Sequence, residues 1–273
     1  MIFGSTDLAK RIETAQAQNQ MDYAKAYQQL LSDSTTTALR LGSAAALYAG
    51  VESPLTQSFG LGMDGEVEEQ QIEAIEEFFF SRGAATHVEV ANLADMSLTT
   101  LLGRRGYAVC EYSHVLGFDL QQLGASPAPA LRPYRLEATE LEAAAEAIAA
   151  GFMEQNIGEG EIPQSIREMF VVSIQTAGSS AFAVTIDGEI AGAGGITILD
   201  GVAMLSGAAT QPKFRGRGVQ QALIQARLQF AHDEGCVIAQ VSTAPGTISQ
   251  KNMHNKQFSI LYARTKFVKM LPM

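Results

Sequence analysis

Thr210-Gln211-Pro212-Lys213-Phe214-Arg215-Gly216-Arg217-Gly218-Val219-Gln220-Gln221-Ala222-Leu223 stands between a predicted strand, Val202–Thr210, and a predicted helix, Val219–Glu234. Three of the chain's 19 lysines and arginines fall within five residues of it, at Lys213, Arg215 and Arg217. Two glycines let the backbone turn its N–H groups inward, and without a Cβ they admit a ligand closely. The helix that follows adds the positive end of its dipole. Together these features describe an anion site suited to a phosphate or pyrophosphate. A P-loop would need Gly-Lys-Ser/Thr at its end, which is absent, and a dinucleotide fingerprint would need a glycine where Gln221 stands. An Arg/Gly nucleic-acid segment would be longer and set in a basic domain.

The chain around that loop has 273 residues, 47% hydrophobic and 18% charged, with a formal net charge of −10. At ~150 residues per domain this length predicts two domains, each able to bury its own core. No uncharged apolar run approaches the ~20 residues of a membrane helix. The start, Met1-Ile2-Phe3-Gly4-Ser5-Thr6-Asp7, lacks the basic-then-apolar pattern of a signal peptide. Only Cys110 and Cys236 are present, too few for a disulfide framework, so a cytoplasmic location is expected. Acidity argues against nucleic acid as a partner. The charge is uneven: residues 1–125 carry −9 and residues 126–273 carry −1. The change falls at Ser126-Pro127-Ala128-Pro129-Ala130-Leu131-Arg132-Pro133, whose three prolines predict an extended linker over 126–133.

In the first half the pattern predicts a polar helix over 21–32, two strands within 42–59 turning near Pro54, a helix over 66–82, a strand over 86–90, a helix over 97–104 and a β run over 107–120. In the second it predicts a strand over 131–136, an Ala-rich helix over 140–153, a Gly/Glu loop, and a helix opened by Pro163. Strands over 181–186, 190–198 and 202–210 follow, joined by Asp187-Gly188 and Asp200-Gly201, pairs that favour tight hairpins. After the Gly/Arg loop and its helix come a strand over 236–242, a short helix over 249–256 and closing strands. The two halves repeat one order of elements, which predicts an internal duplication.

Arg-Gly-x-Gly-x in this position resembles the acyl-CoA-binding motif of the GNAT acyltransferase superfamily. The order β-α-α-β-β-β-loop-α-β-α-β over 131–273 is similar to a whole GNAT domain. So is the tail Ser249-Gln250-Lys251-Asn252…Phe258…Tyr262-x-Arg264 to one branch of it. The resemblance implies an α/β fold of the α+β type: two GNAT-like domains, each a mixed, mostly antiparallel sheet flanked by helices. Residues 1–125 would form a degenerate domain without a cofactor site, and 134–273 an acetyl-CoA-binding catalytic domain.

The backbone of Gly216, Arg217, Gly218, Val219 and Gln220 would then hold the pyrophosphate of acetyl-CoA, with Arg215 and Arg217 adding charge. Ala208 and Thr210 would bond the pantetheine arm, and Ser249 or Asn252 would reach it. Gln220 stands where the motif prefers Gly or Ala. The family's tyrosine in the last helix is replaced by Asn252 and Met253, which leaves Tyr262 as the candidate general acid. The strand over 202–210 carries no glutamate to act as base, while Glu154, Glu159 and Glu161 are placed to attract a cationic acceptor.

The expected activity is acetyl transfer from acetyl-CoA to a primary amine, of a small molecule rather than a protein. A non-catalytic acyl-CoA sensor is the alternative, and the small residues of the strand leave room for a larger acyl donor. The four histidines lack metal-ligand spacing, so no metal is expected. In the first half the matching loop, Gly60-Leu61-Gly62-Met63-Asp64-Gly65-Glu66, has acids in place of arginines and would repel a pyrophosphate.

Overall fold

A computed structural model describes residues 2–31, 35–124, 131–156 and 161–272. By internal contacts the chain divides into two compact units, one made of Met1–Phe118 with Ser242–Met273 and the other of Asp119–Val241. The sequence grouped 134–273 together; here the tail from Ser242 belongs with the first half.

The first unit opens with helix α1 (Thr6–Leu30), capped by the Ser5 hydroxyl, which accepts from the Leu8 N–H at 3.2 Å. Strands β1 (Thr37–Leu41) and β2 (Ala44–Tyr48) form a hairpin around Gly42, and β3 (Gln57–Phe59) pairs with β2. The two strands expected within 42–59 are β2 and β3, and β1, which precedes Gly42, is a strand the sequence reading did not include. Helix α2 (Glu69–Phe80), strand β4 (Thr86–Ala91), helix α3 (Met96–Arg104) and strand β5 (Ala108–Asp119) follow. Every residue of β2 is buried because both faces of it are covered. Ala44, Ala46 and Tyr48 join the core made by Ile72, Ile75, Phe79, Val88 and Leu98, and α1 also packs on the strand.

The last two elements of the chain, helix α7 (Ile248–Asn255) and strand β11 (Ser259–Lys269), complete this unit. Strand β11 is antiparallel to β4, with Thr265 opposite Val90, and antiparallel to β5, with Arg264 opposite Ser113. Its ladder partners, more than a hundred residues earlier in the chain, decide its membership.

In the second unit, strand β6 (Tyr134–Arg135) leads through a 3-10 turn to helices α4 (Leu141–Asn156) and α5 (Gln164–Gln175). Pro163 is the N-cap of α5 and not its first helical residue. Strands β7 (Ser179–Ile186), β8 (Glu189–Leu199) and β9 (Val202–Thr210) form an antiparallel meander. Both of its Asp-Gly turns have positive φ at each residue: 55° and 82° at Asp187 and Gly188, 49° and 68° at Asp200 and Gly201. Helix α6 (Val219–Asp233) then returns the chain to strand β10 (Ile238–Thr243), parallel to β9. Added side chains at Gly192 and Gly194 would strike Val219 and Arg227 of α6, and one at Gly195 would meet Ile174 of α5, so the two helices cover opposite faces of β8.

The two units share a local plan. In the first, β3, the loop Gly60–Glu66 and α2 lead to a parallel partner, β4; in the second, β9, the Gly/Arg loop and α6 lead to a parallel partner, β10. Most of linker 126–133 lies outside the described residues.

Candidate functional site

The Gly/Arg loop is built as an exposed turn hung from two buried anchors. Pro212–Phe214 form one 3-10 turn, and Phe214 and Val219 are 6% and 1% exposed. Between them Arg215, Gly216, Arg217 and Gly218 all face solvent. The start of the loop is tied down: Gln211 donates from its backbone N–H to Ala191 at 2.9 Å and from Nε2 to the Ile190 carbonyl at 2.6 Å. Lys213 is committed to Glu189 by an ion pair. Arg217 instead lies over the Phe214 ring at 5.7 Å, at the mouth of the helix.

Gly216 and Gly218 have φ of 73° and 82°, the left-handed region, and Gly218 is the N-cap of α6. A side chain would strain either turn. The first N–H groups of a helix have no partner within it. Among the described residues, those of Gly216, Arg217, Gly218 and Val219 donate to no backbone acceptor. The result is a run of N–H groups and an arginine at a helix start, the arrangement an anion requires.

Strand β9 supplies a second feature beside it. Pairing with β10 runs from Val202 to Met204 and ends there, opposite Gln240. On its other side, β9 pairs with β8 but slips register: Ser206 faces Gly195, while Ala209 faces Ala193. Three steps on β9 therefore match two on β8, a bulge at Gly207 and Ala208, where Gly207 has a φ of 51°. A bulge leaves one residue out of the ladder and re-aims its backbone groups. Beside it, Gly207 comes within 3.5 Å of the Phe170 ring, measured from where its Cβ would be, and Phe170 stacks edge-on with Phe152. Helix α4 crosses closely at Gly151, whose Cβ would fall 2.6 Å from that of Ala209.

The structure thus brings Ala208, Thr210 and Arg215 through Gln220 together in one unit. Ser249, exposed, and Asn252, half-buried, lie on α7 in the other unit. Tyr262 is in that other unit too, only 3% exposed. Its hydroxyl donates to Glu13 Oε1 at 2.6 Å. Burial and the Glu13 carboxylate push its pKa well above the ordinary value. This corrects the reading of Tyr262 as a general acid: an enclosed phenol that holds its proton so firmly, with its donor engaged, is a structural hydrogen-bond donor. Glu161 is exposed, Glu159 lies outside the described residues, and so does the side chain of Glu154. Among the described residues no group of three or more His, Cys, Asp or Glu side chains is placed to hold a metal ion, and no helix is long and apolar enough to cross a membrane.

In the first unit the loop Gly60–Glu66 keeps its glycines, but Asp64 is held by Lys10 at 2.8 Å and by the Ser43 hydroxyl and N–H. The Lys10 and Ser43 contacts draw the Asp64 carboxyl below the usual range, so it stays ionised beside the loop.

Two features escaped the sequence reading. The bulge had a signal, a glycine inside a predicted strand. Arg227 had one as well, a lone charge on the buried stripe Val219, Leu223, Arg227 of α6.

Comparison with known proteins agrees with this geometry. Residues 146–258 match the model of the Acetyltransferase (GNAT) family, from within α4 to just past the end of α7. Among solved structures, a GCN5-related N-acetyltransferase from Kribbella flavida superposes with a TM-score of 0.67 at 18% identity, covering 96% of this chain and 95% of that one. A tandem GNAT protein from the clavulanic acid biosynthesis pathway gives 0.60 at 12% identity, covering 98% and 96%. A GCN5-related N-acetyltransferase from Sphaerobacter thermophilus gives 0.57 at 16% identity, covering 93% and 91%. No curated protein matches the chain. The fold is therefore a mixed α/β fold of GNAT type, with a mostly antiparallel sheet flanked by helices, and its neighbours include a tandem GNAT protein.

Proposed function

We propose that this protein is an N-acetyltransferase whose second unit binds acetyl-CoA and passes the acetyl group to a primary amine of a small molecule. The observation that carries the reading is the adjacency of the anion-ready loop at the start of α6 to the bulged, half-open strand β9. A CoA thioester is an extended molecule with a pyrophosphate near one end and a carbonyl at the other, and these two features suit its two ends.

In this reading the N–H groups of Gly216 through Gln220 bind the pyrophosphate, and Arg217 and Arg215 add charge. The edge of β9 beyond Met204 bonds the pantetheine arm as a further strand would. A backbone N–H at the Gly207–Ala208 bulge donates to the thioester oxygen and stabilises the oxyanion as the amine attacks, often the largest single term in acyl transfer. The amine must first lose its proton, since a lysine-type amine has a pKa of ~10.4. That proton passes to solvent; the nitrogen lone pair then forms the new C–N bond, the nitrogen gives up a second proton to solvent, the C–S bond breaks, and the thiolate leaves. With a pKa near the ~8.5 of cysteine, that thiolate departs without a strong acid. Solvent supplies its proton. Phe170 and Phe152 wall the bulge on the side where the acceptor would enter.

The enclosed Tyr262 and the lack of a carboxylate on β9 favour a second reading, a sensor that binds acyl-CoA without turnover. A thermal-shift titration with acetyl-CoA, with adenosine diphosphate as control, tests the shared premise. At a hundred times the dissociation constant a ligand adds ~2.7 kcal/mol, a shift of several degrees. No shift at millimolar acetyl-CoA refutes both readings. Acceptor-dependent thiol release in an amine panel separates them in favour of the enzyme.

A further inference from the structure

Beneath the bulge of β9 lies a charge that the proposed reaction has not used. Arg227 projects from α6 and is 1% exposed. Among the described residues it makes no ion pair with a carboxylate. Its guanidinium donates instead to three backbone carbonyls: Gly195 at 3.0 Å, Leu223 at 3.1 Å and, at the limit of bonding distance, Ser206 at 3.5 Å. Gly195 and Ser206 face each other across β8 and β9, and they are the last facing pair before the register slips.

Gly194 gives the arrangement its room. A Cβ there would lie 3.0 Å from that of Ala208 and 3.1 Å from the guanidinium carbon, so a larger residue would push the bulge and the cation apart by a few tenths of an ångström. Burying a charge without a counter-charge is unfavourable by several kcal/mol. Carbonyl acceptors alone do not demand it, because a neutral amide would serve two of them. A full positive charge fixed against the bulged residues is useful where negative charge develops on the far side of the same backbone.

We propose that Arg227 is a positioning residue: it locks the Gly207–Ala208 bulge and directs its field so that the bulge polarises the thioester carbonyl of acetyl-CoA. This rests on the acetyl-CoA reading above. Burial draws the arginine pKa down to about 10, which still leaves it cationic at neutral pH.

The test is isotope-edited infrared spectroscopy of acetyl-CoA labelled with carbon-13 at the carbonyl, bound to wild type and to R227M, R227K and G194A, with calorimetric affinities for acetyl-CoA and CoA. In the wild type the carbonyl stretch is expected to fall below its free value, and acetyl-CoA to bind more tightly than CoA. In R227M most of that shift is lost and the preference for acetyl-CoA disappears, while affinity for CoA, set by the Gly/Arg loop, is unchanged. R227K regains part of the shift. G194A, which displaces bulge and guanidinium without removing charge, loses it. A shift in R227M equal to that of wild type, or equal losses of CoA and acetyl-CoA affinity, overturns the proposal. Should R227M not fold, an unchanged shift in G194A overturns it. Failure of the wild type to bind CoA refutes the acetyl-CoA reading itself and this inference with it, a result distinct from any variant's.

Discussion

Replacing Glu13 by leucine isolates the interaction that ties the two ends of the chain into the first unit. Glu13 of α1 and Arg264 of β11 are 1% and 3% exposed, joined at 2.7 Å from Nε to Oε1. Tyr262 donates to the same oxygen at 2.6 Å, and Arg264 Nη1 donates to the Ser242 hydroxyl at 2.9 Å. Glu13 Oε2 and Arg264 Nη2 are buried with no hydrogen-bond partner. Burial alone would lower the Arg264 pKa, but the Glu13 carboxylate more than offsets this and holds it above the ordinary value. Removing only the acid strands a buried cation, which costs about 3–5 kcal/mol. The Tyr262 hydroxyl loses its acceptor as well, worth a further ~1–3 kcal/mol. For a unit of this size each kcal/mol moves the midpoint by ~2–4 °C, so a loss of about 4–8 kcal/mol should make E13L melt about 8–30 °C lower. Removing all three polar groups together (E13L, R264M and Y262F) strands nothing, and it should recover most of that loss. Urea titration and calorimetry of the single and triple variants give the comparison. A triple variant as unstable as the sum of its single changes would refute this account of the cluster.

Three further outcomes follow from the geometry. R217E should abolish the thermal shift with acetyl-CoA, because it reverses the charge at the start of α6, while D64A should leave it intact; tight binding by R217E would sink the loop assignment. G151A should lower the midpoint of unfolding, because its Cβ would lie 2.6 Å from that of Ala209 and overpacking costs ~1–3 kcal/mol, more than the ~1 kcal/mol gained in helix propensity. Burial would raise the Glu76 carboxyl, but Arg105 at 2.8 Å and Lys269 at 2.9 Å outweigh it and hold it below the usual range. A depressed carboxyl lends stability above its unfolded pKa of ~4.3 and loses it as the pH falls through the folded value. E76Q should therefore be less stable at neutral pH, yet lose less stability on acidification, read by urea titration from pH 7 downwards.

Local chemistry made much of the second unit legible. The Asp-Gly pairs set both turns of the meander, and the bounds of β9 follow from Asp200-Gly201 before it and Pro212 after it. Helix α1 was harder: the sequence placed it over 21–32, but it runs from Thr6 to Leu30. Its stripe is interrupted by Glu13 and Gln20, which look like surface residues yet are buried, each with a distant partner for one of its polar atoms, Arg264 and the Gln57 carbonyl respectively. Partners so far along the chain leave no local trace. The same holds for β11, whose place between β4 and β5 is fixed by ladders no window of sequence contains. Tyr262 was misjudged for this reason: its role depends on Glu13, which lies 249 residues away.

Arg227 shows what separates a functional charge from a structural one. Its pKa of about 10, against an ordinary value of ~12.5, means the buried guanidinium opposes folding by about 3 kcal/mol at neutral pH. The sign is that of a cation whose folded pKa is depressed: the penalty is full below the folded value and fades as the pH rises through 10 towards the unfolded one. Methionine of similar length removes that penalty. It also deprives the Gly195 and Ser206 carbonyls of a donor, worth ~1–3 kcal/mol where no other partner takes over. The net change in R227M should lie between roughly zero and 2 kcal/mol in favour of folding. A purely structural clamp would give the opposite sign, with stability and carbonyl polarisation falling together. A protein that becomes no less stable when it loses Arg227, yet stops polarising its thioester, retains that charge for chemistry at the bulge.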